Sequence, residues 1–184
     1  MKKQNQKTVP AAIQSLLGKN TPVPLFSPVD PDALMKDLIH SIKIYVVVSD
    51  DTALAIALWC ILTWCYELFP RCPLLLINAP ERECGKTQLL KVVEFLVHAP
   101  LETTNITLAA LFRVVANYGP TLLIDEADTF MEGKGELAGI VNKGYERGGV
   151  VLRIESDGKD LVERAYLVYG PKADRKSTRL NSSH

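Results

Sequence analysis

Two short groups of residues in this chain have the types and spacing to handle a polyphosphate. The first is Gly85-Lys86-Thr87, and the second is the carboxylate pair Asp125-Glu126. Leu74 to Ile77 reads as a short buried strand, Asn78-Ala79-Pro80 breaks it, and a polar loop leads to Gly85. From Gln88 to Val97 the apolar residues Leu89, Leu90, Val93, Leu96 and Val97 recur at helical spacing. Strand, loop, Gly-Lys-Thr and helix form the context in which a phosphate-binding loop becomes meaningful. Its backbone N–H groups and the positive end of the helix would cradle phosphate oxygens, a role assigned to Pro80, Glu81, Arg82, Glu83, Cys84, Gly85, Lys86, Thr87 and Gln88. Lys86 would reach the β- and γ-phosphates, and the Thr87 hydroxyl would ligate Mg²⁺.

Thr121-Leu122-Leu123-Ile124-Asp125-Glu126 is an apolar strand that ends in two acids, the form of a Walker B motif. Asp125 would hold Mg²⁺ through water, and Glu126 would polarise the attacking water. Each group has a plainer alternative: a strand-to-helix turn with a solvated lysine, or a surface helix cap. Their occurrence together, in this order, favours ATP with Mg²⁺ as the ligand. One departure stands out, because the full loop pattern has glycine where this chain has Pro80, and proline fixes φ near −65°.

The surrounding elements must position these groups. Residues 1–29 read as a flexible lead-in punctuated by Pro10, Pro22, Pro24 and Pro28. Residues 30–70 read as a helical lead-in packed on the core. Asp30-Pro31 starts one helix there, and Ser49-Asp50-Asp51 caps another over Thr52 to Leu68. The second helix is apolar nearly all round, which predicts burial inside the fold. Its uncharged run, Ala53 to Tyr66, is shorter than the roughly 20 residues of a membrane span, and Trp59 and Trp64 read as core and boundary packing. Residues 71–173 form the catalytic core. Further strands are expected at Pro100 to Thr104 and Thr121 to Glu126, with helices at Leu108 to about Asn117 and Glu136 to Arg147. Val150 to Glu155 and Leu161 to Tyr169, joined through Asp157-Gly158, read as a hairpin. The alternation of strand and helix predicts an α/β fold with a mainly parallel sheet, a helical lead-in and a closing hairpin.

The chain has 184 residues, enough for one domain, and 21 basic against 21 acidic side chains, so no global basic field argues for nucleic acid. Four cysteines and three histidines show no zinc-ligand spacing, which leaves reduced thiols in a cytoplasmic protein. Cys84 lies inside the phosphate loop, so its modification should block nucleotide binding. No signal peptide is visible in the basic, polar stretch Met1 to Lys7. Residues 174–184, DRKSTRLNSSH, change character abruptly and resemble an adaptor-derived tail. The core is then expected to end at Ala173, short of a further strand.

Asp125-Glu126-Ala127-Asp128 spells DEAD, but the motif stands much nearer the phosphate loop than in DEAD-box helicases, and their other motifs are missing. The stretch from about Asp37 to Ala173 instead resembles a P-loop NTPase family of phage, plasmid and prophage replication proteins, often found next to primase modules. The segments that carry the resemblance are NAPERECGKTQLL, TTNITLAALFR, PTLLIDEADTF, ELAGIVNKGYERGGVVLR and YGPKA. Pro80 matches that family's loop. The resemblance implies a three-layer P-loop fold related to AAA+ proteins and superfamily-three helicases. It also implies ATPase roles for Lys86, Thr87, Asp125 and Glu126, a homo-oligomer, and DNA as a partner.

Helicases of that kind carry a DNA-contacting hairpin at the corresponding place. The resemblance therefore offers Lys159, Arg153 and Arg147 as phosphate-backbone contacts, with a solvated turn lysine as the equal alternative for Lys159. Sensor and arginine-finger residues would lie past Ala173. Three functions follow: a helicase-like ATPase in mobile-element DNA replication, a protein-remodelling or loader ATPase, and a non-catalytic nucleotide-binding module.

Overall fold

A computed structural model describes residues 27–78, 85–103, 107–125, 135–157 and 160–176. Helix α1 (Pro31–Tyr45) starts where the Asp30 carboxylate accepts a hydrogen bond from the Asp32 N–H and Pro31 supplies a helix-ready φ. Ile42 is its one fully buried residue, and Val46 turns the chain to an extended conformation. Helix α2 (Asp50–Cys65) is capped by the Ser49 hydroxyl, which accepts from the Thr52 N–H at 3.2 Å.

Only one side of α2 is buried, through Ala53, Ile56, Ala57, Trp59, Cys60 and Thr63. The expectation of a fully enclosed helix is corrected here: Leu54 and Leu58 face outward. The helical stretch Asp50–Leu68 has the length and composition of a membrane span, yet its inner side belongs to the core. Trp59 is buried and its indole N–H donates to the Pro73 carbonyl, while Trp64 is half-exposed and donates to the Leu96 carbonyl.

Four parallel strands form the central sheet: β1 (Leu75–Ile77), β2 (Pro100–Glu102), β3 (Thr121–Asp125) and, last in the chain, a strand at Lys172–Arg175. Helices α3 (Lys86–Leu96) and α4 (Leu108–Tyr118) make the crossovers between the first three. The connection from β3 to the last strand contains α5 (Gly135–Lys143) and an antiparallel hairpin, β4 (Val150–Asp157) with β5 (Asp160–Leu167). With the last strand numbered β6, the spatial order is β1-β6-β3-β2.

A mixed α/β fold with a parallel sheet is therefore present, with three differences from expectation. The hairpin does not close the fold, because β6 follows it. That strand also continues through Asp174 and Arg175, beyond the expected end of the core at Ala173, and stands between β1 and β3. Helix α5 is shorter than expected, ending at Lys143 rather than Arg147.

Both faces of the sheet are covered, and strand alternation decides which residue goes where. Leu123 and Ala173 point to one side and join Ile42, Ile56, Trp59, Leu90 and Val93 from α1 to α3. Leu122 and Ile124 point to the other and join Phe112, Val115, Ile140, Tyr166 and Val168 from the α4, α5 and hairpin side. The hairpin's outer face carries Leu152, Ile154, Leu161 and Leu167, all exposed.

Candidate functional site

The carboxyl ends of parallel strands collect the site, as expected where helix N-termini and strand ends converge. Ile77, Arg175 and Asp125 occupy one register row across β1, β6 and β3. Two strand spacings put Asp125 about 10 Å from the end of β1. From β1 the chain returns at Gly85, whose φ of 82° is left-handed, and α3 begins at Lys86. The glycine is required by conformation rather than by crowding. A Cβ there would meet only Val46 Cγ1, at 3.8 Å, an ordinary contact.

Lys86 is the first residue of α3 and is 7% exposed. Lysine is rarely buried to that degree, and a helix N-terminus, where positive partial charge accumulates, favours an anion instead. Thr87 and Gln88 are exposed on the same first turn. Beside them opens a cleft of about 580 Å³. It is lined by Gly85, Lys86 and Leu89 from α3 and its approach, and by Val46, Val47, Val48, Asp51, Thr52 and Ile56 from the bend between α1 and α2 and from α2. The cleft therefore has a cationic, N–H-rich corner next to a mostly apolar wall. That division suits a ligand with a phosphate end and a flat apolar end.

Asp125 stands at the end of β3 with its side chain one-third exposed, and its carboxylate pairs with the Arg175 guanidinium. Arg175 falls in the stretch whose sequence resembles an adaptor-derived tail. Among the described residues no three His, Cys, Asp or Glu side chains gather into a metal-binding group. Mg²⁺ carried by a nucleotide needs none, because phosphates, waters and one or two protein oxygens complete its shell.

Of the residues expected to act, Gly85, Lys86, Thr87, Gln88 and Asp125 share this edge of the sheet. Pro80, Glu81, Arg82, Glu83, Cys84 and Glu126 lie outside the described residues, as does Lys159. Of the expected nucleic-acid set, Arg153 points inward, with its guanidinium 4.6 Å above the Phe112 ring, and it is partly buried, which gives it a packing role. Its strand alternation decides this, since Val151, Arg153 and Glu155 all face α4 and α5. Arg147 is exposed near the base of the hairpin, where its N–H donates to the Pro70 carbonyl.

The sequence reading missed the Val46 to Thr52 wall. Tyr45 to Val48 shows little beyond β-branched residues, and nothing local says that the bend between α1 and α2 lines a cleft with Gly85 and Lys86. No protein-family model and no curated protein matches this chain.

Proposed function

We propose that this chain is the nucleotide-binding core of an ATP-hydrolysing, helicase-like cytoplasmic protein that serves mobile-element DNA replication. The observation that carries the proposal is Lys86, buried at the N-terminus of α3 behind a left-handed glycine and flanking the 580 Å³ cleft. A lysine in that electrostatic setting gains most from a bound polyphosphate. Lys86 holds the β- and γ-phosphates, Thr87 and Asp125 hold Mg²⁺, and the base lies against Val46 to Val48. Bound Mg²⁺ supplies charge neutralisation between the phosphates. Glu126, next after Asp125, orients the attacking water. The insertion of β6 between the loop strand and the acid-ended strand supports the resemblance to AAA+-type ATPases, and so does a hairpin just before β6.

Calorimetry of Mg·ATP binding, with Lys86→Ala beside the wild type, tests the site. Binding that survives the substitution overturns the assignment. Turnover lost in Glu126→Gln with binding retained separates an ATPase from a non-catalytic module.

A second reading, a loader or remodelling ATPase, is favoured by the hairpin's charge. Arg153, Lys159 and Arg164 face Glu155, Asp157, Asp160 and Glu163 in the same segment, which is net negative. With Arg153 turned inward and acids on both sides of the turn, the hairpin suits a protein partner better than a phosphate backbone. ATPase stimulation by DNA would favour the helicase, and stimulation only by a partner protein would favour the loader. A homo-oligomer is part of either proposal.

A further inference from the structure

Lys172, the first residue of β6, is 4% exposed and lies far from the cleft, at the opposite end of its strand. Its ammonium donates to three backbone carbonyls: Gly170 at 2.7 Å, Gly144 at 2.8 Å and Val168 at 3.2 Å. The three acceptors belong to the turn before β6, the end of α5 and the end of the hairpin. An ammonium has three N–H donors and no acceptor, so this tripod of carbonyls matches it fully. The end of α5 is also the pole of a helix at which a cation is stabilised.

The backbone around Lys172 is shaped to admit it. Gly144 can carry no side chain, because a Cβ there would meet Lys172 Nζ at 2.2 Å and two carbonyl oxygens at 2.3 and 2.5 Å. The Gly144 carbonyl also accepts from the Gly170 N–H at 3.2 Å, and the Val168 N–H donates to Gly149 at 2.9 Å, closing the hairpin's base. Among the described residues between β3 and β6, α5 and the hairpin lie outside the four-stranded sheet, in which β3 and β6 are neighbours. We infer that Lys172 is the clasp that makes α5 and the hairpin one rigid arm rooted on the central strand, so that a load on the hairpin reaches β6. The inference stands whether or not the cleft binds a nucleotide.

Burial pushes the Lys172 ammonium down to about 8 from its ordinary value of 10.5. Cys72 acts on it directly but is itself pushed up to about 11 by burial. Burial pushes Tyr66 up to about 12 and raises Tyr169, and Cys72 adds to both shifts. Asp174 shares the strand face, and Lys143 and Arg147 flank Gly144 in solvent. Opening the arm would return Lys172 to water, where it holds its proton up to the ordinary value. Opening therefore takes up a proton between pH 8 and 10.5, and it becomes rarer as pH rises across that window.

Quench-flow hydrogen exchange on the full chain, read by peptide, tests the clasp. In Lys172→Met, peptides spanning 144–170 should open at least about tenfold more often, while β1 and β3 keep their protection. In the wild type, opening of 144–170 should fall by about fortyfold from pH 8 to pH 10, once intrinsic exchange is corrected, and β3 should not follow. Unchanged opening in Lys172→Met, or equal loosening of the arm and the sheet, overturns the inference. If that variant does not fold, Lys172→Gln, which keeps two N–H donors, decides: opening of 144–170 above wild type with β3 still protected upholds the clasp, and unchanged or global opening overturns it.

Discussion

Two buried lysines mark opposite ends of this sheet and opposite poles of their helices. Lys86 is 7% exposed at the N-terminus of α3, and Lys172 is 4% exposed beside the C-terminus of α5. A helix carries roughly half a positive charge at its N-terminus and half a negative one at its C-terminus. Lys172 is thus where the backbone wants a cation, and three carbonyls complete its hydrogen bonds. Lys86 is where the backbone wants an anion, beside an open cleft. The same side chain, equally hidden, ties the backbone together in one place and, in the function proposed above, meets a ligand in the other, and the nearest helix points in opposite directions at the two.

Exchanging each lysine for methionine should separate the two roles. Lys86→Met should lose roughly a hundredfold or more in Mg·ATP affinity by calorimetry, because charge-assisted contacts to phosphate go with it. Its urea-unfolding free energy should stay within about 1 kcal/mol of wild type, since the side chain lies on the wall of an open cleft. Lys172→Met should behave in the opposite way, losing about 1–3 kcal/mol of stability at pH 7, because buried carbonyls lose their donor while the cost of burying the charge is lifted, with Mg·ATP binding retained by the folded fraction. Equal loss of binding in both variants, or of stability in both, would break the comparison.

The comparison sharpens with pH. Folding depresses the Lys172 ammonium to about 8, so the unfolded chain binds the extra proton between pH 8 and 10.5. Its unfavourable contribution is complete below pH 8 and is lifted as pH rises toward 10.5. The full swing is about 3 kcal/mol of added stability, measured as the urea midpoint against pH. Lys172→Met should remove that rise, and Lys86→Met should keep it.

Smaller effects are expected at the edges of the two regions. Gly85→Ala forces a Cβ into a left-handed φ of 82°, for a cost of about 1–2 kcal/mol, and should weaken Mg·ATP binding more than it lowers the melting temperature. The mildest change is Glu155→Gln. The Tyr166 hydroxyl, then the Arg113 guanidinium, hold the Glu155 carboxyl below its ordinary value of 4.5. Tyr166 donates to it at 2.7 Å and Arg113 at 2.9 Å, tying the hairpin to α4. This contribution is present above pH 4.5 and fades as pH falls through the folded value. Arg113 is exposed, so the substitution should raise hydrogen exchange in peptides spanning 150–157 only a few-fold at pH 7.

Much of the fold was legible because it depends on local signals. Asp30-Pro31, Ser49 and Thr107 are helix caps in the sequence and in the structure. The apolar run Thr121 to Ile124 became a strand buried on both faces. Misreadings came where a local pattern met a non-local partner. Helix α2 is apolar all round, yet the chain supplies described neighbours for only one side of it. Lys172-Ala173-Asp174-Arg175 has no strand pattern of its own. It becomes a central strand because β1 and β3 offer ladder partners on both edges. Arg153, read as a basic contact, is turned inward by the pleat of β4 and covers the Phe112 ring.

The sequence by itself determined the chemical inventory: a glycine that can turn left-handed, a lysine and threonine opening a helix, and an acid ending a buried strand. Residue type and short-range period fix these, and neither depends on the rest of the molecule. Only the tertiary structure decided which elements share an edge. The pairing of β6 between β1 and β3 set Asp125 about two strand spacings from the loop strand. The packing of α1 and α2 brought Val46 to Thr52 across from Lys86, and the closure of the arm put three carbonyls around Lys172. Such contacts join residues far apart in the chain, and hydrogen bonding and burial select them only once the whole sheet has formed.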